Sequence, residues 1–413
     1  MDKVKIATIC IFVVVVGWFL WIVMFEGEKA KNPVDLIDFD NEKVIINGEV
    51  KGVWLSYIDL APMLKGKSEE AFVSNIKYAF DRIRNFGFNT VIVQVRPFSD
   101  ALYESKYFPW SFCCSGVEGN PIKYDPLKIM VKEAHKRNLR IEAWINPYRV
   151  RSEATSDEIS NQNPAYKWIA EGSDSIIKYN GGIYYNPGKK EVRELIVNGV
   201  IELVENYNVD GIHFDDYFYP GTEEYIDEYT FNNYLSEGGN LSLEEWRREN
   251  VNILVKQVYE AIKSIDSEVL FGISPQGSMS NNFNSQYIDV KKWVQNKGYI
   301  DYICPQVYYG FENQNSGFQK IIEEFNNLVT EPSVDLYIGI GAYKVGTEDK
   351  WAGSGALEWR NTDNILKRQV EASRSLSNYD GVFFYRYDSI FNPNNAVKNQ
   401  MELELNNLKP IFK

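Results

Sequence analysis

The stretch DGIHFDDYFYP at residues 210–220 holds the side chains of this chain that are best suited to chemistry. His213 and Asp215 alternate with apolar neighbours, and Asp216 adds a second carboxylate directly after Asp215. An alternation of period two predicts a strand with two different faces. Aspartates, aromatic rings and a proline crowded at the end of such a strand indicate a site that cleaves sugars.

Asp215 is the first catalytic candidate, as nucleophile or base, because its parity points into a barrel. The alternative is a structural carboxylate that pairs with Arg96 or Arg386. Asp216 has the opposite parity and in an ideal strand would face the helices, so it is either a catalytic partner or the cap of a loop. Asp100, in RPFSDALY after the second strand, is the other candidate for the acid, and Asp388 is a further choice.

These carboxylates belong to a chain in which strand patterns and helix patterns alternate eight times. The predicted strands are 50–58, 89–96, 139–148, 210–217, 269–276, 301–309, 335–343 and 381–388. The predicted helices are 68–86, 125–138, 189–208, 243–265, 289–297, 317–329, 361–377 and 394–406. This order predicts an α/β fold, a (β/α)₈ TIM barrel. Long insertions at 149–188, 218–242 and 344–360 predict loops that build a cleft on the catalytic face.

Polar side chains with the inward parity cluster near the ends of these strands. Burying them without a ligand or water would be costly, so their convergence predicts a functional pocket. The amides and cations would hold sugar hydroxyls, and the tyrosines would act as platforms for sugar rings. The predicted substrate-binding residues are Arg96, Asn146, Tyr148, His213, Tyr217, Gln306, Tyr308, Arg386 and Asp388.

Arg96 and Arg386 have inward parity on strands separated only by the first strand. Two buried guanidinium groups need carboxylate partners. The parity therefore predicts at least one bidentate pair between these arginines and Asp215, Asp388 or Glu142 on the C-terminal face of the barrel.

The amino-acid composition limits the classes of binding partner that we expect. Aromatic residues make up 15% of the chain, which agrees with a glycan partner, although most of them could equally fill a large core. The formal charge is −13 with no basic run, so we do not expect nucleic acid binding. No His/Cys spacing suggests zinc, and the proposed chemistry needs neither a metal nor a cofactor. No sequence feature bears on the oligomeric state.

Residues 6–25 are twenty residues without a charge, long enough to span a bilayer. Lys3 and Lys5 precede them, and no cleavage motif follows Phe25. We interpret residues 1–25 as a single-pass signal anchor in the cytoplasmic membrane, 26–48 as a linker and 49–413 as an extracellular barrel. A cleaved signal peptide is the alternative.

Two resemblances sharpen this interpretation. DGIHFDDYFYP resembles the strand-four motif of family 18 chitinases, with Asp215 at its middle aspartate. Tyr217 stands where that motif has its acid glutamate, so the chain departs from a normal chitinase.

The closer resemblance is to the glycosyl-hydrolase-like family 10. Its motifs are GVWLSY (52–57), GFNTVIVQVRPFSDALYESKYFPWS (87–111), YDPLKIMVKEAHKRNLRIEAWINPYRV (124–150), DGIHFDDYFYP, FGISPQG (271–277), DYICPQVYYG (301–310) and GVFFYRYDSI (381–390). The resemblance implies a TIM barrel of bacterial envelopes that hydrolyses glycans, with relatives that act on peptidoglycan strands stripped of their peptides. It places Arg96, Asp100, Asn146, Tyr148, Asp215, Asp216, Gln306 and Tyr308 in the family's motifs, and Cys113-Cys114 departs from them.

The sequence thus predicts a membrane-anchored glycoside hydrolase. A non-catalytic glycan-binding protein on the same barrel is the alternative, since a fold does not fix a function and no second acid is unambiguous. A deacetylase or esterase is disfavoured, because neither a metal set nor a Ser-His-Asp arrangement is present.

Overall fold

Eight parallel strands close into a barrel in the computed structural model, which describes residues 43–153 and 159–412. In chain order the strands are β1 Val50–Leu55, β2 Thr90–Arg96, β3 Arg140–Ile145, β4 Arg149–Arg151, β5 Ile176–Tyr179, β6 Gly182–Tyr185, β7 Gly211–Phe214, β8 Leu270–Ile273, β9 Tyr302–Ile303, β10 Asp335–Ile340 and β11 Tyr379–Phe384. The order around the barrel is β1, β11, β10, β9, β8, β7, β3, β2. β7 and β11 therefore lie across the barrel from each other.

The helices follow the strands and cover the barrel. They are α1 Tyr57–Leu64, α2 Glu69–Phe86, α3 Phe112–Ser115, α4 Pro126–His135, α5 Pro164–Ala170, α6 Lys190–Asn206, α7 Glu228–Ser236, α8 Leu243–Ile265, α9 Met279–Asn284, α10 Val290–Gln295, α11 Phe318–Leu328, α12 Glu358–Asn361, α13 Ile365–Arg374, α14 Tyr387–Phe391 and α15 Lys398–Phe412. The capping residues set their ends. Asp125 accepts hydrogen bonds from the first turn of α4, and Ser242 and Glu245 form a capping box on α8.

Two apolar clusters stabilise this arrangement. The larger one lies between the strands and the helices and contains side chains such as Val93, Ile141 and Ile212. The smaller one fills the inside of the barrel and includes Trp54, Trp144, Tyr302 and Phe383. Large aromatic side chains thus replace the layers of Val, Ile and Leu that commonly fill such barrels.

The sequence-based prediction of a (β/α)₈ barrel is confirmed. All eight predicted strands are present, but the sheet ends earlier than the patterns suggested: β7 stops at Phe214 and β11 stops at Phe384. The segment beyond β11 enters the short helix α14, where a strand to residue 388 was predicted. The residues that follow each strand are therefore loop residues, and their direction is no longer fixed by alternation.

The insertion after β3 carries a small sheet of its own. β4, β6 and β5 form an antiparallel three-stranded sheet, with β6 in the middle. Arg149 opens β4 only four residues after β3 ends, so this sheet begins close to the C-terminal end of the barrel.

The predicted anchor at residues 6–25 and most of the predicted linker lie outside the described residues. None of the helices within 43–153 and 159–412 combines the length and apolar character needed to cross a bilayer.

Candidate active site

Asp215 lies one residue beyond β7 and is almost completely buried, with 3% of its surface exposed. Its Oδ2 atom accepts a hydrogen bond from Asn146 Nδ2 and one from Trp144 Nε1, the latter at 3.2 Å. The backbone N–H of Tyr217 donates to Oδ1 at 3.2 Å. Three donors from two neighbouring parts of the barrel therefore fix the carboxyl group in one orientation.

Asp216 faces a different set of amides. Gln306 Nε2 donates to Asp216 Oδ1 at 3.0 Å, and the same nitrogen donates to the Ser274 carbonyl at 3.0 Å. The carboxyl group is 8% exposed. Alternation predicted that Asp216 would face the helices, but it contacts Gln306 from the end of β9, because the strand has already ended at Phe214.

The two carboxyl groups influence each other. Burial raises the pKa of Asp215 to about 7, the neighbouring charge of Asp216 adds to the rise, and the charge of Arg149 opposes it. Burial also raises the pKa of Asp216, while the Gln276 and Gln306 side chains and the charge of Arg149 oppose that rise. A pair of this kind can hold one proton near neutral pH, so one carboxyl can donate a proton while the other accepts one.

Arg149 is the cation of this site. Its Nε donates to the Pro97 carbonyl at 3.0 Å, and its guanidinium lies over the rings of Phe98 and Tyr217, at 4.7 and 4.9 Å from their centroids. The two rings and the carbonyl hold the charge beside the carboxyl pair.

Asn146 is itself held by a second amide. Gln94 Nε2 donates to Asn146 Oδ1 at 2.6 Å, and Gln94 Oε1 accepts from the backbone N–H of Tyr57 at 2.9 Å. Each amide has its oxygen and nitrogen assigned by its neighbour. The orientation of Asp215 thus depends on a chain of hydrogen bonds that crosses β3, β2 and the end of β1.

His213 lies inside the barrel below this pair and is fully buried. Trp54 Nε1 donates to His213 Nε2 at 3.3 Å, so the proton of the imidazole resides on Nδ1, which contacts Tyr302 Oη at 2.6 Å. Tyr302 in turn donates to Glu142 Oε2 at 2.5 Å, and Glu142 pairs with Arg140 at 3.0 Å. His213 was predicted to contact substrate, and the structure places its side chain in the barrel interior with Trp54 and Tyr302 as its partners.

Three tyrosines gather at the ends of β9, β10 and β11. The rings of Tyr308 and Tyr385 stack with centroids 5.7 Å apart, and Tyr343 meets both rings edge-on, at 5.7 and 5.9 Å. Tyr343 is half-exposed. The charge of Asp215 contributes to the raised pKa of Tyr385, and that of Asp216 to the raised pKa of Tyr308, after burial in both cases. The opening at the C-terminal end of the barrel is called the mouth below. These three rings form the wall of the mouth that faces the carboxyl pair.

Arg96 does not point into the pocket as predicted. In the register of β2 and β3, Gln94 lies opposite Trp144, and Arg96 lies opposite the next residue, Ile145. Val95 is therefore an extra residue in β2, and the side chains after it point to the opposite face of the sheet from the one that strict alternation predicts. The guanidinium is buried over the ring of Phe108 at 3.5 Å and lies against Gly199 of α6. The predicted inward direction of Arg96 is therefore wrong, and the residue predicted to bind substrate lies between β2 and α6.

Asp100 and Tyr148 are both fully buried away from solvent. Burial raises the pKa of Asp100, and the Ser111 side chain and the charge of Arg151 oppose the rise. The ring of Tyr148 packs edge-on against Phe218 at 6.2 Å. A catalytic role for Asp100 and a sugar contact for Tyr148 were predicted from their places after strands, but the loops that follow β2 and β3 cover both side chains.

Arg386 and Asp388 form a separate arrangement. Arg386 Nη1 pairs with Asp59, a buried carboxylate that also accepts from Ser56 N at 2.8 Å and Asp388 N at 3.0 Å. Arg386 Nη2 lies 4.0 Å from Asp388 Oδ2. The predicted bidentate pair with Asp215, Asp388 or Glu142 is thus wrong, because Asp59, at the start of α1, takes the guanidinium. Asp388 instead lines an outer cavity with Tyr78 and Met63.

Of the predicted residues, the structure brings together Asp215, Asp216, Asn146, Tyr217, Gln306 and Tyr308. Sequence reasoning missed Arg149 and Tyr385. Tyr385 directly follows β11, and Arg149 comes four residues after the end of β3. A search for charged or aromatic side chains within a few residues of each strand end would have found both. Among residues 43–153 and 159–412, no cluster of His, Cys, Asp and Glu has the grouping of a metal site.

Comparison with known proteins gives concordant results. Residues 49–353 match the family described as Glycosyl hydrolase-like 10. The chain is 33% identical over 378 residues to the glycosyl hydrolase YngK of Bacillus subtilis (strain 168), covering 86% of this chain and 72% of that protein. It is 32% identical over 380 residues to the glycosyl hydrolase DigH of Escherichia coli (strain K12), covering 83% of this chain and 84% of that protein.

Solved structures share the fold at low sequence identity. The catalytic domain of a β-amylase from Paenibacillus polymyxa has a TM-score of 0.58 and 10% identity, over 89% of this chain and 100% of that chain. The glycoside hydrolase domain of PgaB (BpsB) from Bordetella bronchiseptica has a TM-score of 0.56 and 12% identity, over 85% of this chain and 98% of that chain. At these identities the similarity concerns the barrel alone.

Proposed function

Because the chain belongs to the glycosyl hydrolase-like 10 family, we propose that it is a glycoside hydrolase whose catalytic carboxyl groups are Asp215 and Asp216. The observation that carries this proposal is the position of the pair. Both carboxyl groups follow β7 at the C-terminal end of the barrel, where enzymes of this fold keep their chemistry.

The surroundings of the two groups suggest separate roles. Asp215 accepts hydrogen bonds from Asn146, Trp144 and the Tyr217 backbone. These bonds fix its orientation, and those from Trp144 and Tyr217 favour the ionised form against the rise in pKa that burial causes. Asp216 is more exposed, and burial beside Asp215 raises its pKa. In the proposed reaction Asp216 protonates the departing glycosidic oxygen, while Asp215 acts on the reacting centre as base or nucleophile.

The substrate in this proposal is a cell-wall-type glycan, such as a peptidoglycan strand or a related polysaccharide. The half-exposed rings of Tyr217 and Tyr343 near the carboxyl pair suit the apolar faces of sugars. The net charge of −13 agrees with a neutral or weakly charged polymer rather than nucleic acid.

The uncharged run at residues 6–25 supports a further part of the proposal, that the enzyme is anchored in the cytoplasmic membrane with the barrel outside. In that position the barrel would meet cell-wall glycans and no cytoplasmic polymers. Fractionation of cells that express the full chain tests this, because an anchored protein stays in the membrane pellet after a high-salt wash, whereas a cleaved one is released.

The activity is tested with the purified full-length chain and a panel of glycans: peptide-free peptidoglycan strands, intact peptidoglycan and chitin oligosaccharides. New reducing ends should appear with at least one of them, and D215N should abolish their formation. Tyr217 occupies the position of the acid glutamate in the chitinase motif, which favours a second candidate, a glycan-binding protein without activity. Retention of a glycan without any new reducing end would select that candidate.

A further inference from the structure

The two carboxyl groups of the proposed site stand on the same side of the mouth. Asp215 and Asp216 are consecutive in the loop after β7, with Cα atoms about 3.8 Å apart. A double displacement by two enzyme carboxylates needs one of them on the leaving-group side and the other on the opposite face of the sugar. Such a pair usually comes from different strands, because the sugar lies between them.

The wall across from β7 presents aromatic rings. β11 stands opposite β7 in the strand order, and Tyr385 directly follows it, stacked on Tyr308 from the end of β9. The nearby carboxylate Asp59 is fully buried and is held by Arg386 and Ser56. This wall offers surface for a sugar ring or an acyl methyl group. The acids beside it are already paired, Asp59 with Arg386 and Asp349, which acts on Tyr343, with Lys344 at 2.7 Å.

The other acidic candidates of the described residues are also occupied or remote. Glu142 lies under the pair and is bound by Tyr302 and Arg140. Asp100 is covered by loops and Asp388 faces the outer cavity. None of these acids is both free and placed across the mouth from Asp215.

We infer that the nucleophile is supplied by the substrate: the enzyme cleaves after a 2-acetamido sugar, whose own acetamide carbonyl oxygen attacks C1. Asp215 then accepts a hydrogen bond from the acetamide N–H and orients it, and Asp216 is the acid. This inference rests on the proposed hydrolase function and assigns the roles of its two carboxyl groups.

The reaction balances in two steps. In the first, the acetamide oxygen forms a bond to C1 as the C1–O bond to the leaving sugar breaks, Asp216 gives its proton to the departing oxygen, and the acetamide proton shifts toward Asp215. In the second, water adds to C1, the ring formed by the acetamide reopens and recovers its proton, and the proton of the water passes to Asp216. Two displacements at C1 retain the anomeric configuration.

The fixed hydrogen bonds of Asp215 suit this role. Both of its oxygens accept hydrogen bonds from groups on the enzyme, and one oxygen, Oδ1, has only the backbone N–H of Tyr217 at 3.2 Å. A carboxylate that must attack C1 gains from freedom to approach the carbon, whereas one that orients an amide gains from immobility.

The test compares one polymer in three forms. Peptide-free peptidoglycan strands are de-N-acetylated and then left as amines, re-acetylated or trifluoroacetylated, and each form is incubated with the full-length chain. Fluorine withdraws electrons from the acetamide oxygen, so the trifluoroacetylated polymer should be cleaved at least about 100-fold more slowly than the re-acetylated control, and the amine form not at all. The first product should retain its anomeric configuration by NMR.

Variants separate the roles. D215N should lower kcat with little change in KM. Added azide should not restore the activity of D215N, because azide replaces only a missing enzyme nucleophile, with a product of inverted configuration. D388N, which removes a carboxylate at the same end of the barrel but outside the mouth, should behave as wild type.

Equal cleavage of acetylated and trifluoroacetylated polymers, inversion of configuration, or a covalent sugar adduct on Asp215 would overturn the inference and leave the hydrolase proposal standing. Asp157 and Glu158 belong to the insertion after β3 and lie outside the described residues. A sugar adduct on either of them, or loss of cleavage in D157N or E158Q as complete as in D215N, would overturn the inference too. Absence of cleavage of every form would instead remove the hydrolase proposal itself.

Discussion

Asn146 Nδ2 donates a hydrogen bond to Asp215 Oδ2, and the same amide accepts one from Gln94 Nε2 at 2.6 Å. The direction of these bonds leaves the amide of Asn146 a single orientation. A residue of β2 thereby controls the carboxyl group that follows β7, across the intervening β3.

The hydrogen bonds from Gln94 to Asn146 and from Asn146 to Asp215 predict that N146A lowers kcat while KM changes little. Without its amide donor the Asp215 carboxyl can rotate about its side chain, and the loss of a charge-assisted hydrogen bond corresponds to roughly 10- to 100-fold in rate. Steady-state kinetics of N146A and Q94A test this, with the smaller effect expected for Q94A. A tenfold rise in KM at constant kcat would instead make Asn146 a simple substrate-binding residue.

Arg149 should set the pH at which the enzyme works. Its charge lowers the pKa values of both Asp215 and Asp216, so its removal raises them. Activity requires an ionised Asp215 and a protonated Asp216, which gives a bell-shaped profile whose two limbs both move to higher pH in R149M. Profiles of kcat/KM for the wild type, R149M and the charge-preserving R149K test this, and a profile unchanged in R149M would contradict the assignment.

His213 should make stability depend on pH. Burial lowers the pKa of its imidazole to about 3 in the folded protein, whereas an unfolded chain titrates near about 6.5. Between these values the unfolded state binds the extra proton, so the contribution is fully present above about pH 6.5 and falls as the pH falls. At pH 5 the loss of stability relative to neutral pH is about 2 kcal/mol.

Urea unfolding at pH 5 and pH 7.5 measures that contribution. The free energy of unfolding should decline less between the two values in H213Q than in the wild type, whatever the absolute stability of the variant. An equal decline in both proteins would show that His213 is already accessible to protons in the folded state.

The fold was predictable from periodicity, and the barrel interior largely so. Val93 and Ile141 face the helices, and Gln94, Asn146 and His213 face inward, as alternation requires. Alternation fails where a strand is irregular or has ended. The extra residue Val95 in β2 turns Arg96 away from the pocket, and the end of β7 at Phe214 frees Asp216 to face Gln306.

Alternation along a strand could not predict contacts between segments that are distant in the sequence. Arg386 was expected to meet an acid on a strand, but Asp59, in the first turn of α1, takes it. Likewise the cover over Asp100 and Tyr148 comes from loop conformations, which depend on packing against other segments rather than on local alternation.

The Arg386–Asp59 pair predicts a stability effect. Asp59 has no exposed side-chain surface, so R386M leaves a buried charge without its main partner and should destabilise the fold by about 3 kcal/mol. Thermal and urea unfolding of R386M measure this loss. D388N should stay within about 0.5 kcal/mol of the wild type, because Asp388 is half-exposed and 4.0 Å from the guanidinium. Equal stability of R386M and the wild type would show that the pair contributes nothing.

The central claim is that Asp215 and Asp216 cleave a glycosidic bond, and the most direct test is the formation of new reducing ends from peptide-free peptidoglycan strands by the wild type, D215N, D216N and D388N. We expect both pair variants to fold as the wild type does and to lose roughly three or more orders of magnitude in rate, with D388N unaffected. Cleavage by folded D215N and D216N at rates near that of the wild type would contradict the claim.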